Sequence, residues 1–549
     1  MSWRRLSYKI AQYLAITLFF ITILLTTPWG TQVTLAIINS FSPLYIDYRS
    51  GSLIRDLQLN KLHMTLEHFD INVSNIETRV DFSCVWKKTL CIKSASAKAL
   101  ALNYTTSEES TETKTNNVET ATTLFKMPFA ININTVTLDK AHISLNKATI
   151  YARKLQTRMA IKQSQFTLLH PSVKQLTVHL NDTPKSSEST QDFTSSFTNA
   201  VAQLPNINLP LSFNIEKLQI NNLNIAKNNQ VGEQEYLWQS SNNHLSATWF
   251  NSDLRIREFK TTTPMFSITE LTAKAKLTAP YQINSKLISH IHQLKQWPEI
   301  DDTRLQLSLQ GSLENLDIEL TSTDSLTLSS KANINLVNPD IPFSVTINAD
   351  NIPLPLSLAQ YAEPSALSLT LSGNIQTQSL DLTSSVSSYG YHNAYVKLAA
   401  THQQGHLNIK KLLIDEHDSA SQLNLQGSIT LLPSDFSWQL SMHSTGISLP
   451  IINIQKLSEI LEEQTKINSF TLNMPKTVSG RIQGHISSEG TWSKKQWHAN
   501  IKDTNIVGSF NNTPFEIQGD IGLTPSGHIT KGKLYISANN SELSLNSTG

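Results

Sequence analysis

Among the 549 residues, the types and spacings that could do chemistry are two cysteines, a glycine-bounded stretch ending in lysine, two near-neighbour histidines and two acidic doublets. Gly527 to Lys533 has the spacing of a phosphate loop. Leu534 stands where a magnesium-binding hydroxyl belongs, however, and Leu534, Ile536 and Ala538 alternate as a strand, so a hairpin turn is expected and nucleotide is excluded. His290 and His292 lie two apart in a segment that reads as a helix and so diverge, whereas a metal pair on one helix face needs a spacing near four. Asp301-Asp302 reads as loop and Glu462-Glu463 as a polar helix face, with no aromatic pocket to raise a carboxyl pKa. No G-x-S-x-G elbow occurs. A turn over Lys87 and Lys88 would set Cys84 and Cys91 opposite each other on a hairpin, within disulfide reach. In an oxidising compartment a disulfide is expected, with buried free thiols as the alternative, while two cysteines alone make half a zinc shell. The chain is therefore expected to be no enzyme and to hold no cofactor or metal.

Residues of this kind need rigid elements to position them, and the elements here have one pattern. In Ser421–Met442, Leu423, Leu425, Ile429 and Leu431 alternate with Asn424, Gln426, Ser428 and Thr430; past a turn at Pro433, Phe436, Trp438, Leu440 and Met442 alternate again. A period of two places all the apolar side chains on one face of a sheet. The script recurs at Leu305, Leu307 and Leu309 before Gly311, at Leu367, Leu369 and Leu371 before Gly373, and at Phe515 and Ile517 before Gly519. A mainly β fold is expected: a long, curved antiparallel sheet built of repeated units that contact their neighbours. Two amphipathic helices are expected to interrupt it, over Lys286–Trp297 and Ile454–Thr465.

Charged residues make up 16% of the chain, against ~25% in an average soluble domain. With 44 basic and 43 acidic side chains the net charge is +1, which gives no support for a nucleic-acid surface. At the N-terminus, Arg4, Arg5 and Lys9 precede an uncharged run, residues 10–27, long enough to span a bilayer as a helix. It lacks a small-x-small cleavage site, so an uncleaved anchor is expected, with residues 1–9 in the cytoplasm and the bulk outside, in a bacterium the periplasm. Residues 28–43 read as an apolar helix lying along the membrane. Strands fill 44–104 and 124–182; the Ser/Thr/Glu/Asn-rich runs 105–123 and 183–196 read as disordered loops; and 197–549 reads as repeated β-sheet led in by a short helix over Phe197–Leu204.

The charged start, the anchor, the Ser50-Gly51-Ser52-Leu53 turn before Asp56-Leu57-x-Leu59, and the pattern Cys84-Val85-Trp86 then Leu90-Cys91-Ile92 resemble the N-terminal portion of the TamB family. Leu209 to Leu218 and the order Gly480, Gly484, Gly490-Thr-Trp492, Trp497, Ile506-Val-Gly508 extend the resemblance at low stringency. The family continues into a C-terminal domain that has no counterpart before Gly549. The resemblance implies an inner-membrane subunit of the translocation and assembly module, akin to AsmA-like and bridge-like lipid-transfer proteins, whose sheet bends into an open tube or half-pipe with an apolar interior. It implies phospholipid acyl chains as cargo and the outer-membrane barrel TamA as partner.

A continuous apolar face needs a cover, and two short helices cannot supply one for so many strands. The first reading is a lipid conduit floored by Leu305, Leu307, Leu309, Leu369, Leu371, Leu423, Leu425 and Ile517. The second is a scaffold whose strand edges template outer-membrane proteins and autotransporters together with TamA. A dry-cored adhesin or solenoid is third, and the irregular turn spacing disfavours it.

Overall fold

The computed structural model describes the chain from Trp3 to Ser547 apart from residues 66–68, 105–126, 128, 146–147, 181–203, 205, 210–211, 229–233, 295–296, 351, 355–362, 389–390, 417–420, 432–434, 454–476, 494–496, 525–528 and 540. Among the described residues two α-helices, α1 (Trp3–Thr26) and α2 (Pro28–Phe41), lead into 27 strands, so the chain is mainly β. It divides into two compact units, one formed by residues 1–191 with 204–290 and the other by 192–203 with 291–549.

Unit 1 contains β1 (Leu44–Gly51), β2 (Asp56–Thr65), β3 (Phe69–Asp81), β4 (Thr89–Tyr104), β5 (Ala130–Leu145), β6 (Ala148–Lys162), β7 (Gln165–Leu180), β8 (Ser212–Asn228), β9 (Gln234–Phe250), β10 (Asp253–Thr262) and β11 (Phe266–Lys276). Each pairs with the next, but β4–β5 and β7–β8 are parallel. The expectation of an all-antiparallel sheet fails at these two places, and the two polar runs explain why. A parallel pair needs a connection that returns along the strand. The ~25 residues between Tyr104 and Ala130 reach ~80 Å when extended, more than the ~50 Å of a strand such as β4.

Thr27 caps α2, its hydroxyl accepting from the Gly30 amide at 3.0 Å. Gly30 lets the two helices meet at 91°, since a Cβ there would stand 2.4 Å from the Leu24 Cα. Leu35 of α2 is buried with Ile46 of β1 and Leu59 of β2, and Asn39 exchanges two hydrogen bonds with the Ile46 backbone, at 2.8 and 2.9 Å. The segment read as a helix along the membrane thus packs one side on the first strands and leaves Trp29, Ile37 and Phe41 exposed on the other. Among the described residues no single helix is long and apolar enough to cross a membrane; the bent pair Gln12–Thr26 and Pro28–Phe41 passes only together.

The expected helix over Lys286–Trp297 is instead strand β12 (Ile283–Ile291), followed by loop and a 3-10 turn at Pro298–Ile300. Ile283, Ile288 and Ile291 are β-branched, and the Thr269 hydroxyl of β11 donates to the Ile288 carbonyl at 3.3 Å, so lateral pairing overrides a marginal helical stripe. The helices expected over Phe197–Leu204 and Ile454–Thr465 fall outside the described residues, except for Leu204 itself.

Unit 2 holds β13 (Arg304–Ser312), β14 (Asn315–Thr323), β15 (Thr327–Ile334), β16 (Phe343–Asp350), β17 (Glu363–Gly373), β18 (Thr377–Ser388), β19 (Tyr391–Gln403), β20 (His406–Asp415), β21 (Gln422–Leu431), β22 (Asp435–Asn453), β23 (Thr477–Ser493), β24 (Trp497–Phe510), β25 (Thr513–Leu523), β26 (Ile529–Ala538) and β27 (Ser541–Ser547). All neighbours pair antiparallel here, and neither unit's ladder closes into a barrel. Glycines bend it locally: Gly427 has φ 143°, and a Cβ there would lie 2.0 Å from the Gln439 carbonyl oxygen.

Candidate functional site

Directly paired residues of neighbouring strands project to the same face. From β13 to β22 the partners run Leu307, Leu320, Ser330, Ile347, Leu369, Leu382, Leu398, Leu412, Leu425 and Met442. Beside that row, Leu305 pairs with Ser322, Leu309 with Ile318, Leu371 with Val345 and Leu380, and Leu423 with Ile414. Farther on, Met442 pairs with Ile486, and Ile517 lies between Ile506 and Ile536. The eight residues singled out from alternation therefore share one apolar floor, each half-buried. No register shift interrupts β13 against β14, so Leu305, Leu307 and Leu309 stay on that floor while Gln306 is turned away and exposed.

Unit 1 has a floor that period-two alternation missed. Leu59, Ile76, Ala97, Leu138, Leu155, Val173 and Ile220 are paired in sequence across seven strands. Leu100, Ala141, Ala152 and Leu176 make a second row, and both rows meet in one buried cluster around Ala141, Ala152 and Val173. Between the rows each strand spends two consecutive residues on the outer side: Asp139-Lys140, Arg153-Lys154, Lys174-Gln175 and Asn221-Asn222, all exposed but Gln175. The pairing stays in register across this step, so it is a kink that neighbouring strands share, with Lys154 at φ 52°, and not a bulge in one of them. The legible signal was a spacing of three, Leu138 to Ala141, Ala152 to Leu155, Val173 to Leu176 and Ile220 to Leu223, repeated on successive strands.

The chemistry-bearing residues lie elsewhere. Cys84 and Cys91 are bonded, S–S 2.06 Å with Cα atoms 5.8 Å apart. The local geometry is not the expected hairpin: Cys84 sits on a 3-10 turn, Phe82–Lys87, and the strand partner of Cys91 is Asp81. Gly532 and Lys533 are interior to β26, paired with Ser547 and Asn546, so no phosphate loop forms there. His290 ends in β12 and His292 lies just past it; Asp301 accepts a hydrogen bond from the Leu294 amide at 3.0 Å in a turn. Glu462 and Glu463 are outside the described residues. One hydroxyl–imidazole–carboxylate line escaped notice: Thr65 Oγ1 is 3.1 Å from His63 Nε2, and His63 Nδ1 is 3.3 Å from Asp70 Oδ1. Asp70 is 44% exposed, and the line ties β2 to β3 at a solvent-facing hairpin rather than lining a cleft.

The outer faces of both units carry clefts. In unit 1 a cleft of about 800 Å³ is lined by Lys140, His142, Tyr151, Arg153 and His179 among others. In unit 2 one of about 590 Å³ is lined by Asn408, Gln426, Gln439, Ser441, Glu489 and Lys502 among others. The Lys502 ammonium donates to Glu489 and, with Asn500, holds that carboxyl below its ordinary pKa.

No solved structure matches the chain. Residues 17–548 match the family described as TamB, N-terminal domain, which covers both floors and every strand, and the chain belongs to that family.

Proposed function

We propose that the chain conducts phospholipids, their acyl chains lying along the apolar floor, from the inner membrane toward the outer one, in a translocation and assembly module-like system with TamA. The observation that carries this is the row from Leu307 to Met442: across ten strands every partner but Ser330 is apolar, although the register shifts between β17 and β18, β18 and β19, β19 and β20, and β20 and β21, and the described residues of unit 2 include no α-helix to cover it. Each methylene removed from water gains ~0.8 kcal/mol wherever it lies, so a uniform floor holds a chain without fixing its position. That suits movement better than a single tight pocket.

Tyr13, Leu14, Phe19 and Phe20 are exposed on α1 and support an inner-membrane anchor, since such a patch in water would be costly. The Cys84–Cys91 bond supports a periplasmic bulk. The reading is non-catalytic. Edge-templated assembly of outer-membrane proteins gains less support, because every strand from β14 to β26 is already paired on both sides.

A photo-crosslinking amino acid placed in cells at Leu307, Leu371 or Leu425 is expected to capture phospholipid, and one at Gln306, Thr370 or Gln426 is not. Equal capture from both faces, or adducts only with nascent outer-membrane protein, would overturn the conduit in favour of the scaffold.

A further inference from the structure

The three-residue step that keeps unit 1's floor apolar also concentrates charge on its outer face. Across β4 to β7 the exposed residues of that step include Lys98, Lys140, Arg153, Lys154 and Lys174 against a single carboxylate, Asp139, although the whole chain is close to neutral at +1. Lys140 and Arg153 are direct cross-strand partners. Like charges so placed destabilise a sheet, and neither enters any of the ion pairs found among the described residues.

Both side chains line the 800 Å³ cleft, which has no Asp or Glu in its wall. Its other polar groups are hydroxyls, amides and imidazoles, among them Thr149, Tyr151, Gln175 and His142, each able to donate as well as accept. Tyr151 stacks on His142 at 4.7 Å between centroids and meets His179 edge-on at 5.5 Å, so the wall beside the cations is held in place by ring contacts. A carboxylate-free cleft with a guanidinium fork beside an ammonium and neutral groups that can turn donors inward suits an anion with several acceptor oxygens. We propose that this cleft is a binding site for a phosphate group, held between Lys140 and Arg153 against the Tyr151–His142 wall. The site lies on the face opposite the floor and does not rest on the conduit reading. Its phosphate belongs either to a free anion or to a lipid headgroup.

Calorimetric titration of the full chain in neutral detergent tests this with three probes: inorganic phosphate, dihexanoyl phosphatidic acid and zwitterionic dihexanoyl phosphatidylcholine. Binding of inorganic phosphate identifies the free anion as sufficient; binding of the phosphatidic acid alone identifies a headgroup. In either case the Lys140→Gln/Arg153→Gln double variant, which alters exposed side chains only, weakens binding at least ten-fold, and so does raising salt into the range where the Debye length falls to ~3 Å. Without ligand, Lys140→Glu raises the unfolding midpoint of unit 1 by replacing a repulsive pair with an attractive one. Failure of both anionic probes, equal binding by the phosphatidylcholine, unaltered binding by the double variant, or a midpoint lowered by Lys140→Glu overturns the proposal.

Discussion

Unit 1 and unit 2 are made from the same alternating strands, yet they treat their apolar faces differently. In unit 1, Leu35 of α2 packs on β1 and β2, and Ala141, Ala152 and Val173 gather both floor rows into one buried cluster. In unit 2 no such cluster gathers the floor among the described residues: Leu316 and Ala349 are buried singly, while Leu307, Leu369 and Leu425 stay half-buried. The outer faces differ as well. The unit 1 cleft opposes Lys140 to Arg153, whereas the unit 2 cleft pairs Lys502 with Glu489.

This contrast can be broken at several points. Leu35→Ala removes a side chain only 4% exposed and should cost ~3 kcal/mol. Hydrogen exchange read segment by segment is expected to show the loss in β1 and β2 with the unit 2 strands unchanged; a uniform loss would mean that the units share one core. Cys84→Ser should weaken the 3-10 turn and the start of β4 by ~2 to 3 kcal/mol on the loop-entropy account, read as faster exchange at Cys91 and Ile92 in the variant than in the oxidised protein. In unit 2, Gly427→Val forces a β-branched residue to φ 143° against the Gln439 carbonyl, a strain of ~2 kcal/mol. Proteolysis near β21 and β22 should increase while unit 1 is spared.

The smallest effect sharpens the comparison of the two clefts. Because Glu489 titrates below its ordinary range when folded, its pairing with Lys502 stabilises above the unfolded carboxyl pKa and is lost as pH falls through the folded one. The Glu489 side chain is 37% exposed and its ion pair is screened by water, so Glu489→Gln should leave the unfolding midpoint near pH 7 almost unchanged and flatten only its acid limb. A large drop at neutral pH would show that the attractive Glu489–Lys502 pair is a principal support of this cleft.

Alternation was enough to find much of the unit 2 floor because the period of two runs undisturbed within the segments it read: Leu305 to Leu309, Leu369 to Leu371 and Leu423 to Leu425 each share a face, and the register shifts of this unit fall outside them. It failed in unit 1, where a kink shared by neighbouring strands, which stay in register across it, puts floor residues three apart and a period-two reading sends half of them outward. Helical periodicity failed over Lys286–Trp297 because a short amphipathic pattern cannot compete with a neighbouring strand that offers backbone partners.

Local sequence alone determined the strand-forming composition, the two faces of each regular strand, the apolar N-terminal segment and the nearness of the two cysteines, since each depends on residues within a few positions of one another. Strand partners, the parallel pairings β4–β5 and β7–β8, the packing of α2 on β1, the 3-10 setting of Cys84 and the juxtaposition of Lys140 with Arg153 were decided by tertiary structure. They depend on which strand lies beside which. That choice is made by burial and hydrogen bonding summed over the whole ladder, which no short window of sequence contains.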